Sequence, residues 1–226
     1  MDFFEGKWAI EIACGDWHTA LLTASRQVYA WGSGRNGQLG NNEWVGSLTP
    51  VRIESLAAVP VRQVVCGAIH TMVLAEDGHV YSWGGGKEGQ LGHGDKESLR
   101  VPQMIQPFAS DPIVSISAGQ GYSAALTEFG CVYTWGCNAE GQLGRPEGDE
   151  ATPGMVEGLL RDVTVVEVSC GGEHMAGVSE TGAIYCWGSN IQGQLGIGPG
   201  PADAVSEPRA VELEGAITRP AQGGGC

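Results

Sequence analysis

One stretch of the sequence has the spacing of a phosphate-binding loop. In WGSGRNGQLG, residues 31–40, the glycines Gly32, Gly34 and Gly37 form the pattern G-x-G-x-x-G. Such a loop binds a dinucleotide pyrophosphate when a strand precedes it and a helix follows it. Segment 27–31 is β-branched and aromatic and predicts the strand. Segment 38–46, QLGNNEWVG, has no helical periodicity, so it predicts a loop where the helix is required.

Cysteine and histidine recur at a spacing that suggests zinc binding or a thiol nucleophile. A histidine follows a cysteine by four residues in Cys14/His18, Cys66/His70 and Cys170/His174. Both side chains are zinc ligands, and a thiol beside an imidazole base can be activated for attack. Either chemistry depends on which of these residues the fold brings together.

A repeat of 52 residues contains both patterns. Four copies of Trp-Gly, of Gly-Gln-Leu-Gly and of an upstream glycine keep this step, and a His or Tyr follows that upstream glycine. We interpret all of these as structural repeat residues. They are Gly15, His18, Trp31 and Gly40; Gly67, His70, Trp83 and Gly92; Gly119, Tyr122, Trp135 and Gly144; and Gly171, His174, Trp187 and Gly196.

Each unit predicts four short strands. In the second unit these are a strand ending near Gly67, the strand 70–75, the strand 79–84, and a fourth strand that starts at Pro102. Glycine makes up 37 of the 226 residues, which indicates many tight turns. Four strands per unit of about 50 residues predict an all-β fold, a β-propeller with one blade per repeat.

The repetition argues against both chemistries of the opening patterns. Units three and four have Asn138 and Asn190 at the slot of Gly34, and both residue types accept positive φ. We therefore interpret that slot as a left-handed turn. The Cys/His pairs lie in different blades, and unit three has Ala118 and Tyr122 instead, so we predict packing and a histidine hydrogen bond. Cofactors and metals are not expected.

The string VVCGAIHTMVLAEDGHVYSWGGGKEGQLGHG, residues 64–94, resembles the repeat of the regulator of chromosome condensation family, and the resemblance covers residues 10–213. It implies a propeller whose family members usually have seven blades. The expected organisation is a lead-in at 1–9, repeats at 10–61, 62–113, 114–165 and 166–217, and a disordered tail at 218–226. Four repeats leave three interpretations: a fragment or short isoform, a closed ring of unusual size, or a ring that a partner completes.

Charge and composition restrict the partners. The formal net charge is −14, and residues 114–226 hold 14 acidic and 4 basic side chains, a net of −10. With no cluster of Lys and Arg, direct binding of nucleic acid is not expected, whereas a protein with a basic surface is. No apolar run is long enough to span a membrane and no signal peptide is recognisable, so a cytoplasmic or nuclear location is expected.

Side chains outside the repeat rule are the candidate partner-binding residues. Trp17 and Trp44 are large aromatics that the other units lack at these positions. The loop that follows Cys-Gly also varies between units, and we expect it to line one rim of the propeller. The candidates are Asp16, Trp17, Trp44, Ile69, Gln120 and Glu173.

Two functions remain in competition. The first is a non-catalytic scaffold that binds a protein through its rim loops, without enzyme activity. The alternative is guanine-nucleotide exchange on a small GTPase, which the resemblance implies through the founding family member, although the regular step leaves no room for an inserted β-hairpin. Ultraviolet sensing, known for a plant member, needs several rim tryptophans at the position that follows Cys-Gly. In this chain only Trp17 lies near that position. The open end blades also indicate self-association.

Overall fold

The computed structural model describes residues 6–106, 108, 112–145, 148–198 and 203–213. The predicted tail 218–226 lies outside them. The strands are β1 Ala9–Cys14, β2 His18–Thr23, β3 Val28–Gly32, β4 Ser47–Arg52, β5 Val61–Cys66, β6 His70–Ala75, β7 Val80–Gly84, β8 Leu99–Met104, β9 Ile113–Ala118, β10 Tyr122–Thr127, β11 Val132–Gly136, β12 Gly154–Met155, β13 Val165–Cys170, β14 His174–Ser179, β15 Ile184–Ser189 and β16 Ala204–Val211. Short 3₁₀ helices at Glu54–Leu56 and Gly158–Leu160 lead into blades two and four.

The strands form four antiparallel sheets, each made of four strands that are consecutive in sequence. The sheets are the blades of a partial four-blade propeller, as the repeat predicts. First strands begin at Ala9, Val61, Ile113 and Val165, one residue before each expected repeat boundary. The first strands β1, β5, β9 and β13 also contact one another in turn, so they lie at the propeller axis, and the fourth strands lie at the perimeter.

The prediction that a proline opens each fourth strand is right only for β12, which follows Pro153. β4, β8 and β16 begin earlier and contain Pro50, Pro102 and Pro208. In each of these strands the pairing slips near the proline: Ala30 pairs with Val51, but Gly32 pairs with Ser47. A bulge on an outer edge strand accommodates a residue without an N–H, because no ladder bond is lost there.

The hydrophobic core lies between blades. Alternate residues of each second strand point to the preceding and to the following blade, which is why β6 and β10 are buried along their whole length. Three large clusters fill the contacts between blades one and two, two and three, and three and four. A fourth, much smaller cluster lies on blade four alone. The blades therefore stabilise one another in sequence order.

Candidate functional site

One face of the propeller carries all the sequence-predicted binding residues. Because the strands of a blade alternate in direction, the loops between first and second strands leave the sheet on the same side as the loops between third and fourth strands. We call this side the loop face; in blade one it comprises residues 15–17 and 33–46. Trp17 comes from the first loop and Trp44 from the second, so the fold brings together residues 27 positions apart.

A depression of about 890 Å³ on the loop face is lined by Trp17, Trp44, Val45, Arg35 and Ile69, among others. Trp17 is 71% exposed and Trp44 is 43% exposed. The guanidinium carbon of Arg100, from blade two, lies 5.9 Å from the centre of the Trp44 ring. That cation–π geometry holds the indole at the edge of the depression while leaving much of its surface accessible. We call this the tryptophan depression.

A second depression of about 320 Å³ adjoins the first through Ile69, which lines both. Asp16, Glu88 and Glu173 bring three carboxylates to it, and Gln120 lines it as well. Loops of neighbouring blades are tied together here: the Asp16 N–H donates to the Ala68 carbonyl at 3.1 Å, and the Gln120 N–H donates to the Gly172 carbonyl at 3.0 Å. We call this the acidic depression.

All six candidate binding residues therefore line one of two adjoining depressions. Sequence reasoning missed Val45, Arg35 and Glu88, which line them too. Val45 was detectable as an apolar residue in a loop, 68% exposed beside Trp44. Glu88 occupies a repeat slot that holds Asn36 in unit one, a variation visible in the sequence.

The glycine-rich loop joins each blade to the next. The Gln38 carbonyl accepts the indole N–H of Trp83 at 2.9 Å, and we call this contact between consecutive blades a joint. The same joint recurs from Gln90 to Trp135 and from Gln142 to Trp187. Gly40 has φ +66°, and a Cβ there would lie 2.7 Å from Trp83 Nε1. The tryptophan of the next blade therefore packs against this motif and donates a hydrogen bond to it.

The interpretation of the Gly34 slot as a left-handed turn is wrong. Neither Gly34 nor Asn138 has a positive φ. A Cβ on Gly34 would lie 2.2 Å from the Val45 carbonyl oxygen, so close passage of the loop backbone requires glycine there. At Asn138 the side-chain oxygen instead accepts the N–H of Leu143 at 3.0 Å and closes the turn.

The Cys/His pairs serve the blade contacts. His18 Nε2 lies 2.8 Å from Thr71 Oγ1, and that hydroxyl donates its one proton to the Gln38 carbonyl. The histidine must therefore donate from Nε2, so the tautomer of the neutral ring is the one with its proton on Nε2. Burial lowers the pKa of His18 to about 4. Its buried Nδ1 has no hydrogen-bond partner, which also opposes protonation.

Two cysteines of these pairs, Cys66 and Cys170, are not activated. Burial raises the pKa of Cys66 to about 12 and that of Cys170 to about 11, so both remain thiols at neutral pH. The His18 ring faces blade two, and it packs so closely over Gly15 that a Cβ there would lie 2.4 Å from His18 Cε1. In the described part of the chain, no three His, Cys, Asp or Glu side chains are grouped as a metal site would require.

Tyr122 replaces the histidine in blade three. Its hydroxyl donates to the carbonyls of Gly171 and His174 in blade four. The residue it would otherwise meet is Met175, which is fully buried and offers no hydroxyl. The tyrosine therefore reaches the backbone where the other joints use a serine or threonine side chain.

Within the described ranges, no helix is long and apolar enough to cross a lipid bilayer. The described helices are two single 3₁₀ turns.

Comparisons with known proteins agree with this architecture. The human E3 ubiquitin-protein ligase HERC2 is 35% identical over 214 residues, 93% of this chain but 4% of that protein. The ultraviolet-B receptor UVR8 of Arabidopsis thaliana is 38% identical over 196 residues, 86% of this chain and 44% of the receptor. The chain thus spans less than half the length of these curated relatives.

Among solved structures, Prp20p of Saccharomyces cerevisiae superposes with a TM-score of 0.79 at 24% identity. The match covers 91% of this chain and 50% of Prp20p, whose structure was described together with its binding to Gsp1p and histones. The family model of the RCC1-like domain matches residues 2–226. The match of this model over nearly the whole chain shows that the chain belongs to the RCC1-like domain family.

Proposed function

We propose that this protein is a non-catalytic propeller scaffold that binds another protein through its loop face. The observation that carries the proposal is the pair of exposed indoles, Trp17 and Trp44, in one depression. Exposed tryptophans in a concave surface are the side chains that contribute most to binding energy in protein interfaces. The loop face is also held rigid by bonds between neighbouring loops, which lowers the entropic cost of binding.

The charge beside the tryptophans indicates the chemistry of the partner. Asp16, Glu88 and Glu173 surround the acidic depression, and the whole chain has a formal net charge of −14. A partner segment that places an apolar side chain against Trp17 and a lysine or arginine beyond Ile69 would complement both depressions. We therefore propose a basic partner segment with one apolar anchor.

Selection from a displayed library of random peptides tests this proposal. We expect the selected peptides to combine an aromatic or aliphatic anchor with Lys or Arg a few residues away. Trp17→Ala should weaken their binding by about 30-fold, since a hot-spot residue contributes about 2 kcal/mol or more. Calorimetric titration measures the affinity.

Phe129→Ala is the matched control, because Phe129 is 58% exposed and lies in the turn between β10 and β11, away from the loop face. It should leave the affinity unchanged. Peptides without basic residues, or peptides that bind the Trp17→Ala protein as tightly as the unsubstituted chain, would contradict the proposal.

Nucleotide exchange on a small GTPase is the competing function. Prp20p, whose structure was described together with its binding to Gsp1p, is 24% identical to this chain and supports the shared fold alone. A nucleotide-release assay over a panel of small GTPases separates the two functions. A scaffold leaves the release rate at its intrinsic value, and strong acceleration of any member would overturn the non-catalytic proposal.

A further inference from the structure

Two deeply buried glutamine side chains line the acidic depression. Gln90 and Gln142 are each 1% exposed, so they form its floor, whereas the exposed side chain of Glu88 lies at its mouth. The Gln90 amide oxygen accepts the Glu88 N–H at 2.9 Å, and the Gln142 amide oxygen accepts the Glu140 N–H at 2.8 Å. Because an N–H can only be accepted by the oxygen, these bonds identify the other end of each amide as Nε2.

The Nε2 atoms of Gln90 and Gln142 are hydrogen-bond donors without an acceptor. Neither donates to any group on the residues that the structure describes. Nε2 of Gln38, the equivalent residue of blade one, is also unpaired but is sealed from solvent, whereas the other two are not sealed. The accessible space that both residues line is the acidic depression. Its floor therefore offers two amide N–H donors to an occupant.

A glycine explains why the amide of Gln90 is open. Gln38 lies beside the loop that contains Ile69, and Gln90 lies beside the equivalent loop of blade three, which has Gly121 at that slot. Ile69 covers its surroundings closely, since a Cβ on Gly85 would lie 2.5 Å from Ile69 Cδ1. Gly121 has no side chain with which to cover the glutamine. The loop of blade three therefore leaves the floor of the depression accessible.

This part of the depression lies between the two inner blades. Glu88 and Gln90 belong to blade two, and Gly121, Cys137 and Gln142 belong to blade three. A Cβ on Gly121 would lie 3.5 Å from Glu88 Cγ and 3.6 Å from Cys137 Cβ, so the two blades meet here directly. Both blades pack against a neighbour on either side. These groups therefore keep their surroundings whatever lies beyond blades one and four.

Donors on the floor and carboxylates at the mouth restrict the chemistry of the occupant. A lysine or arginine side chain pairs with Asp16 or Glu173 but offers no acceptor to the floor. A free amino acid offers an acceptor, but its own carboxylate is repelled by the three others. An acetylated lysine offers a carbonyl but no positive charge. The α-ammonium of a chain end, followed directly by the first peptide carbonyl, provides both.

We propose that the acidic depression binds the free amino terminus of the partner protein. The α-ammonium pairs with Glu88, and the carbonyl of the first residue accepts from Nε2 of Gln90. The two protein groups are adjacent, because the Gln90 amide is bonded to the Glu88 backbone at 2.9 Å. The two ligand groups are adjacent as well, since they belong to one residue. A volume of about 320 Å³ is near the lower end for small-ligand sites, which suits a chain end.

Binding of an amino terminus rests on the proposed function and makes it more specific. The segment with the apolar anchor and the basic residue is then the first segment of its chain. Trp17 remains available for the anchor, and Asp16 and Glu173 remain available for the lysine or arginine.

Pairs of short synthetic peptides of random sequence are the probes, each sequence arrayed with a free and with an acetylated amino terminus. We expect the 226-residue chain to bind the free forms about tenfold more tightly, because acetylation removes a charge-assisted hydrogen bond. Calorimetric titration of selected pairs measures the ratio of the two affinities.

Glu88→Gln should remove most of this preference, because it removes the carboxylate that pairs with the α-ammonium. Glu140→Gln is the matched control: Glu140 occupies the same repeat slot in blade three but lines a different depression, so the preference should persist. Gly121→Ile gives blade three the side chain that blade two has at this slot and should also abolish the preference. Gly121 does not have a positive φ, so the fold should be preserved, which circular dichroism checks.

Equal affinities of free and acetylated peptides would overturn the proposal, as would a preference that survives Glu88→Gln. Trp17→Ala separates this result from the proposed function. If Trp17→Ala weakens binding while acetylation has no effect, the scaffold remains supported and the amino-terminal site is refuted. If acetylation weakens binding while Trp17→Ala has no effect, only the anchor is refuted. A chain that binds neither form of any peptide would contradict both.

Discussion

Acid should unfold this protein through its buried histidines. Burial lowers the pKa of His18 to about 4 and, together with the charge of His18, lowers that of His70 to about 3. In the unfolded chain both rings take a proton near pH 6.5. Between pH 6.5 and pH 4 the unfolded state therefore binds more protons, so the free energy of unfolding falls as pH falls.

The magnitude follows from these values. A pH of 5 lies about 1.5 units below the pKa of a histidine in the unfolded chain, whereas both folded rings remain largely neutral. One pKa unit corresponds to about 1.4 kcal/mol, so each ring lowers the free energy of unfolding by about 2 kcal/mol between pH 8 and pH 5. The two together lower it by about 4 kcal/mol, a large part of the stability of a typical domain.

Urea unfolding followed by circular dichroism at pH 8, 7, 6 and 5 measures the effect. We expect the midpoint to fall by about 1 M or more over this range. His18→Gln with His70→Gln keeps an N–H donor for each hydroxyl but removes the titration, so most of the pH dependence should disappear. Burial raises the pKa of Glu11, which acts in the opposite direction, and both proteins retain it.

His79→Gln is the control, because His79 is exposed and pairs with Asp77 at 2.9 Å in a turn. It should leave the pH dependence nearly unchanged. Equal unfolding midpoints at pH 8 and pH 5 in the unsubstituted chain would refute the reasoning, as would an undiminished slope in the double variant.

Three further measurements test the joints and the loop face. In urea unfolding, Gly92→Ala should destabilise the chain by about 2 kcal/mol more than Gly196→Ala. Both glycines have positive φ, so the backbone strain of the two substitutions is similar. A Cβ on Gly92, however, would lie 2.8 Å from Trp135 Nε1, whereas a Cβ on Gly196 would meet only a Val211 methyl at 3.6 Å. Equal losses would show that backbone strain alone explains the glycine. Ser123→Ala should cost about 2 to 3 kcal/mol, because it leaves the buried Nε2–H of His70 without its acceptor, and a loss below 0.5 kcal/mol would contradict the joint. A thiol reagent at pH 8 should label exposed Cys14 within minutes and Cys66 and Cys170 far more slowly, because burial raises the pKa of both thiols. Mass spectrometry of the labelled peptides compares the rates, and equal rates would contradict this expectation.

The candidate binding residues show how far sequence reasoning reaches. Trp17 and Trp44 were recognisable because they depart from a repeat that otherwise keeps its residue types, and such departures stand out without any structure. Arg100 was not recognisable as a neighbour of Trp44, since it comes from another blade. Proximity across blades depends on how the sheets pack, and the 52-residue step does not report that packing directly.

The amino-acid sequence by itself determines the blade count, the strand pattern and the all-β class, because period, turn glycines and alternating apolar residues are local properties that recur four times. The tertiary structure decided what the repeat residues do. Gly40 is a glycine because Trp83 of the next blade lies against it, and His18 carries its proton on Nε2 because Thr71 of the next blade accepts a hydrogen bond there. Both contacts join residues more than 40 positions apart, and only packing of one blade on another brings them together.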